Sequence, residues 1–211
     1  MAAYLTLTNI IILVTVLISV KAFQDSSTVD RFLFRPTLIN DRKEYHRFLS
    51  SGFIHADWVH LGVNMYMLYV FGRFSEQMFL VLFGHTAGKI AYLLFYLSAI
   101  VVSSIPSYLR HKDNYTYAAL GASGATSALV FAYILYDPWQ MFLFPPVPAI
   151  IFGVLYLAYS SYMDRRGTDN IGHNQHFWGA VYGIVFVLVS MAIASPGLIE
   201  VVIQRILAGP F

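Results

Sequence analysis

Long uncharged apolar runs dominate this chain, and they restrict what it can fold into. From Tyr4 to Val20 no charged residue occurs. A helix that crosses a bilayer needs about 20 mostly apolar residues. Runs of this kind recur, and six spans are expected at about 3–23, 57–72, 89–106, 121–136, 149–163 and 176–194. The expectation is an all-α membrane protein, a six-helix bundle forming a single domain over residues 1–211. Composition agrees, with 58% hydrophobic and 11% charged residues, where soluble domains carry about 25% charged. The 15 Tyr and 17 Phe suit interfacial belts and lipid-facing surfaces. A net charge of +2 suggests no nucleic-acid partner, and the absence of Cys excludes disulfides and thiolate metal sites. A signal peptide would carry a basic segment before its apolar run. No Lys or Arg precedes Lys21, so the first run is expected to be a retained span.

The connections are read from their polar and Pro-rich stretches. A charge-rich loop covers Gln24 to Ser51. Arg73 to Gly88 is expected as a connection with its own apolar piece, MFLVLF. Pro106 is expected to close the third span, before the loop SYLRHKDNYTYAA. The segment DPWQMFLFPPVP is a Pro-broken turn, and MDRRGTDNIGHNQ precedes the sixth span. The final GLIEVVIQRILAGPF suits a short amphipathic helix on the membrane surface.

Polar side chains inside hydrocarbon are costly and are therefore candidates for function. His60 and Asn64 lie four apart on one face of the second span. Ser123 lies in GASGATSA, and His176 opens HFWGAVYG. Each has a structural reading as well. A helical Ser commonly bonds the carbonyl one turn back, and Asn or His can serve only to hold helices together. The glycines supply geometry. Gly121, Gly124 and Ala128 lie near one face of the fourth span, while Gly179 and Gly183 follow His176 on the imidazole's own face. Small residues let backbones approach closely in lipid. Packing of these faces would bring Ser123 and His176 within hydrogen-bond reach.

A serine hydroxyl becomes a nucleophile when a base such as neutral imidazole takes its proton. The Ser123 N–H, near a helix start, lacks an intrahelical partner and can serve an oxyanion together with His60 and Asn64. No carboxylate lies deep in an expected span to orient His176, since Asp57 heads the second span and Asp169 lies in a loop. A Ser–His dyad without an obligatory acid is expected.

At these residues the chain resembles the rhomboid intramembrane serine proteases, over roughly Glu44 to Val189. HRFLSSGFIHADWVHLGVNMYML resembles the family's segment ending in His-x-x-x-Asn, GASG its Gly-x-Ser-Gly, and HFWGAVYG its His-x-x-Gly-x-x-x-Gly. The resemblance implies Ser123 as nucleophile, His176 as base, and His60 and Asn64 as oxyanion donors. It implies supporting roles for Gly121, Gly124, Gly179, Gly183, Arg47, His55 and His173, and a structural one for Glu76. Two departures stand out. His46 replaces a Trp often paired with the arginine. Ser127 sits where many relatives carry an aromatic that stacks on the base, so stacking on His176 must come from elsewhere or be absent.

The resemblance further implies a serine endopeptidase that cleaves single-pass transmembrane substrates within the bilayer, with no cofactor or metal. Residues around DRRGTDNIGHNQ would cap a water-filled cavity. Both termini would be cytoplasmic, although that leaves only Arg73, Lys89 and Arg205 inside and inverts the positive-inside rule. A bacterial inner membrane is expected from the short termini and the lack of a transit peptide. Three rivals remain: a non-catalytic rhomboid-like protein that binds membrane clients, a metal enzyme using His55, His60, His173 and His176, and a structural or transport bundle.

Overall fold

The computed structural model describes residues 6–143, 145–167 and 171–209. Among these residues the regular structure is helical, joined by two isolated β-bridges. Helix α1 (Leu7–Gln24) turns Thr8, Ile11, Thr15, Ser19 and Ala22 inward, while Leu13 and Leu17 are exposed. This inverts the arrangement of a water-soluble helix. In lipid, small and polar side chains make the helix contacts and apolar ones face the solvent.

The stretch expected as a polar loop contains three short helices, α2 (Ser26–Phe32), α3 (Pro36–Arg42) and α4 (Arg47–Ser50), and a 3-10 turn at Ser51–Phe53. Arg47 binds it together. Its buried guanidinium pairs with Glu44 at 2.6 Å and donates to the carbonyls of Asp30 at 2.6 Å and Leu33 at 2.9 Å. A bridge between Phe34 and Ala119 fastens this segment to the strand-like stretch before Ser123, with both N–H···O distances 3.0 Å.

The helix expected as the second span runs past its expected boundary. α5 (Trp58–Met67) passes through a π-helical turn (Leu68–Gly72) into α6 (Arg73–Phe83). The expected connection at Arg73 to Gly88 is therefore mostly helix. Glu76, for which the resemblance implied a structural role, is buried within it. The carboxylate accepts from the N–H groups of Leu7 at 2.9 Å and Thr8 at 3.0 Å, and from the Thr8 hydroxyl at 2.8 Å. It thus satisfies donors that every helix start leaves open.

Gly84, at φ +77, ends this run and α7 (His85–His111) begins. Pro106 lies inside α7 and does not close it. Proline is tolerated in membrane helices where neighbouring groups re-satisfy the carbonyl it frees. α8 (Ser123–Tyr136), α9 (Ala149–Arg166), α10 (His173–Ala194) and α11 (Gly197–Ala208) follow. α10 begins one turn before the expected position, so His173 opens it. α8 is buried without a break from Gly124 to Ala132. A helix covered on all sides is a central one, and α7, α9, α10 and the π-turn pack around it. α1, α7 and α10 are long and apolar enough to cross a bilayer, and α8 is a shorter apolar helix.

Candidate active site

The α8–α10 contact is made by backbone against backbone. A Cβ placed on Gly179 would lie 2.8 Å from the carbonyl carbon of Gly124 and overlap its oxygen. One placed on Gly183 would come within 2.7 Å of Ala128 Cα. The small-residue faces expected from the sequence therefore do meet. Gly124 also accommodates Ser103 of α7, whose hydroxyl would overlap an added Cβ.

Gly121 differs from that expectation. It precedes α8 and takes φ +115, a conformation disfavoured for other residues. A side chain there would also strike His60, with Cε1 2.6 Å from an added Cβ. Gly121 thus lets the turn before Ser123 lie against the His60 ring, and it takes no part in the α10 contact.

Ser123 and His176 are both half-buried and line one cavity of about 1000 Å³, together with His60, Asn64, Thr126 and Tyr156. Ser123 is the first residue of α8, so its N–H has no carbonyl one turn back to bond. Asp57 caps α5 by accepting from the His60 N–H at 2.8 Å. That commits one carboxylate oxygen to the helix start. Asp169 lies outside the described residues. The capping loop falls partly there too, while Ile171 and Gly172 line the cavity.

The α5 wall is held in register with α8. Asn64 donates to the His60 carbonyl at 2.9 Å and accepts from the Thr126 hydroxyl at 3.2 Å. An amide nitrogen carries a second hydrogen that can be offered to another acceptor. His60 Nδ1 takes the Ala56 N–H at a long 3.4 Å, which assigns the ring proton to Nε2. That nitrogen faces Gly121, at the threshold of Ser123.

His55 lies behind the site. Its Nε2 accepts the Ala122 N–H at 3.4 Å, and its Nδ1 lies 3.0 Å from Ser19 Oγ, which donates to the Phe53 carbonyl at 3.0 Å. The proton is thereby assigned to Nδ1. Burial pushes this imidazole's pKa down to about 3, helped by neighbouring His60 and opposed by Asp57. His55 is the neutral link from α1 to the residue preceding Ser123. With both nitrogens engaged it is not placed as a metal ligand. Among the described residues no three His, Asp or Glu side chains form a metal-binding group. His173 is buried, with its ring 5.5 Å from that of Tyr159 and 5.9 Å from that of His176.

Thr126 and Tyr156 are among the cavity residues that the sequence does not single out. Thr126 follows Ser123 by three positions, one turn along α8. Tyr156 is one of several tyrosines on α9. Its ring stacks on His176 with centroids 6.1 Å apart and planes 23° apart, and its hydroxyl is 2.7 Å from Ser127 Oγ. The aromatic partner absent one turn after Ser123 is thus supplied from another helix.

A family model for the rhomboid domain matches residues 42–193. The chain is 30% identical over 152 residues, 66% of its length and 45% of the relative's, to the mitochondrial RHOMBOID-like protein 12 of Arabidopsis thaliana. It is 26% identical over 161 residues, 68% of its length and 51% of the relative's, to the chloroplastic rhomboid-like protein 11 of the same plant. The chain belongs to the rhomboid family, whose membrane character its apolar helices share. It spans about half the length of these two relatives. Their names refer to plant organelles and lend no support to the bacterial inner membrane expected from the sequence.

Proposed function

We propose that the chain is an intramembrane serine endopeptidase that cuts transmembrane segments of single-pass proteins. The bundle would cross the bilayer six times, through α1, the continuous α5–α6, α7, α8, α9 and α10. The observation that carries the reading is that Ser123 and His176 open into one cavity from two helices in backbone contact. His176 would take the Ser123 proton as Oγ attacks the scissile carbonyl, then return it to the leaving amine. The developing oxyanion would be met by the Ser123 N–H, His60 Nε2–H and Asn64 Nδ2–H. Asp57 already serves a helix start, which favours a dyad without an acid. Val59, Val63, Met67 and Phe152 give the cavity apolar walls suited to a segment drawn from lipid.

The test is cleavage of a single-pass substrate in liposomes by the wild type and variants. The wild type cuts in the presence of chelators, and Ser123→Ala and His176→Ala do not. His60→Ala and Asn64→Ala each lose about a hundredfold in rate. Chelator sensitivity would favour the metal reading. Binding without cleavage across several substrates would favour the client-binding one.

A further inference from the structure

We propose that Tyr156 is a positioning residue for His176, anchored by Ser127. This rests on the reading of Ser123 and His176 as nucleophile and base. Ser123 and Ser127 are four apart on α8, hence on one face. Tyr156 bridges from α9, with its hydroxyl on Ser127 and its ring on the imidazole. Three of the helices around the site are therefore linked to one another: α8 to α9 by a hydrogen bond, α9 to α10 by a stack, and α10 to α8 by glycine contacts.

The Tyr156 ring is itself confined. Phe152, one turn earlier on α9, stacks on it with centroids 5.7 Å apart, and Phe131 of α8 lies 6.0 Å away. Ring pairs at 4.5–7 Å in offset geometry are mutually attractive. A ring fixed at its edge by a hydrogen bond and on its face by Phe152 offers the imidazole one flat surface. That surface restricts rotation of His176 about χ2, and base orientation is a quantity to which rate is sensitive. A displacement of about 1 Å can cost about a hundredfold. Ser127, one turn from the nucleophile, is too short to stack. It contributes instead the hydroxyl that holds the substitute ring.

The experiment measures kcat, KM and the pH dependence of kcat for cleavage of a single-pass substrate in liposomes. It compares wild type, Tyr156→Phe, Tyr156→Leu, Ser127→Ala and the Tyr156→Phe/Ser127→Ala double variant. Tyr156→Leu keeps apolar bulk but loses the flat face. We expect its kcat to fall between about tenfold and a hundredfold, with KM within about twofold and the acid limb of the pH profile displaced. Tyr156→Phe keeps the face and loses the anchor, giving a loss of about fivefold with the limb in place. Ser127→Ala should match it, and the double variant should be no worse than either single change.

Wild-type kcat in Tyr156→Leu, or a loss residing wholly in KM, would overturn the proposal while leaving the protease reading intact. So would multiplying effects of the two anchor changes, a comparison that decides the matter if Tyr156→Leu does not fold. A wild type that cleaves no substrate overturns the protease reading and this proposal with it.

Discussion

Two of the cavity's walls differ in construction. On the α10 side, Gly179 and Gly183 put backbone directly on the backbone of α8. On the α9 side, contact is through side chains, with Gly153 facing Ile134 Cδ1 at 3.0 Å and Phe131 Cε1 at 3.2 Å from an added Cβ. Only Ala149, Gly153 and Ser160 of α9 are buried. At its C-terminal end α9 is held by Asp164, which pairs with Arg110 of α7 at 2.8 Å and accepts from Asn174 of α10 at 3.2 Å. The difference teaches how a site can be exact on one side and yielding on the other. The wall that joins Ser123 to His176 leaves no room to adjust, because backbones cannot rotate away. The wall that supplies the stacking ring is built from side-chain contacts, so a small added group there can be met by repacking around Gly153 while Ser127 and Phe152 hold the ring.

The largest expected effect lies on the rigid wall. Gly179→Ala forces its methyl into the Gly124 carbonyl, so the helices must part. We expect a loss of about 1–3 kcal/mol in stability and a fall in cleavage of more than tenfold. Unfolding in mixed micelles and a cleavage assay measure these, and an unaffected variant would remove the contrast between the walls.

The turn before Ser123 is also held from α1, through His55. A neutral His55 buried in the fold takes a proton more readily when unfolded. The unfolded chain therefore binds more protons between the ordinary imidazole value of 6.5 and the folded value of about 3. Stability should fall as pH drops through that window, and His55→Gln should flatten the fall. An unaltered acid dependence in the variant would assign it to other groups.

The smallest effect belongs to the yielding wall. Gly153→Ala meets only side-chain ends, and the helix propensity gained by alanine offsets part of any crowding. Its stability should stay within about 1 kcal/mol of wild type, with cleavage retained. A loss equal to that of Gly179→Ala would show the two walls to be alike.

Much of this was legible because its causes are local or periodic. His60 and Asn64 share a face by spacing alone, and Gly179 and Gly183 mark a packing surface without any knowledge of the partner. The partner itself was legible only as a complementary run of small residues, and Gly121, in that run, turned out to serve His60. What escaped the sequence depends on long-range pairing. The structural role implied for Glu76 carried no partner, because the start of α1 that it caps lies 68 residues away in sequence. Nothing in LYLAYSSYM distinguishes Tyr156 from Tyr159 or Tyr162, because only the places of His176 and Ser127 on two other helices select it. Pro106 and the π-turn at Leu68–Gly72 show the same limit. Neither ends its helix: α7 continues through Pro106 to His111, and α5 continues through the π-turn into α6.

The central claim is that His176 activates Ser123 within this cavity. A fluorophosphonate reports on it directly, because it bonds covalently to an activated serine with loss of fluoride. Intact-mass and peptide mass spectrometry should find a single adduct on Ser123 in the wild type and none in His176→Ala of equal thermal stability. Labelling that persists in His176→Ala, or falls on a different serine, would contradict the account.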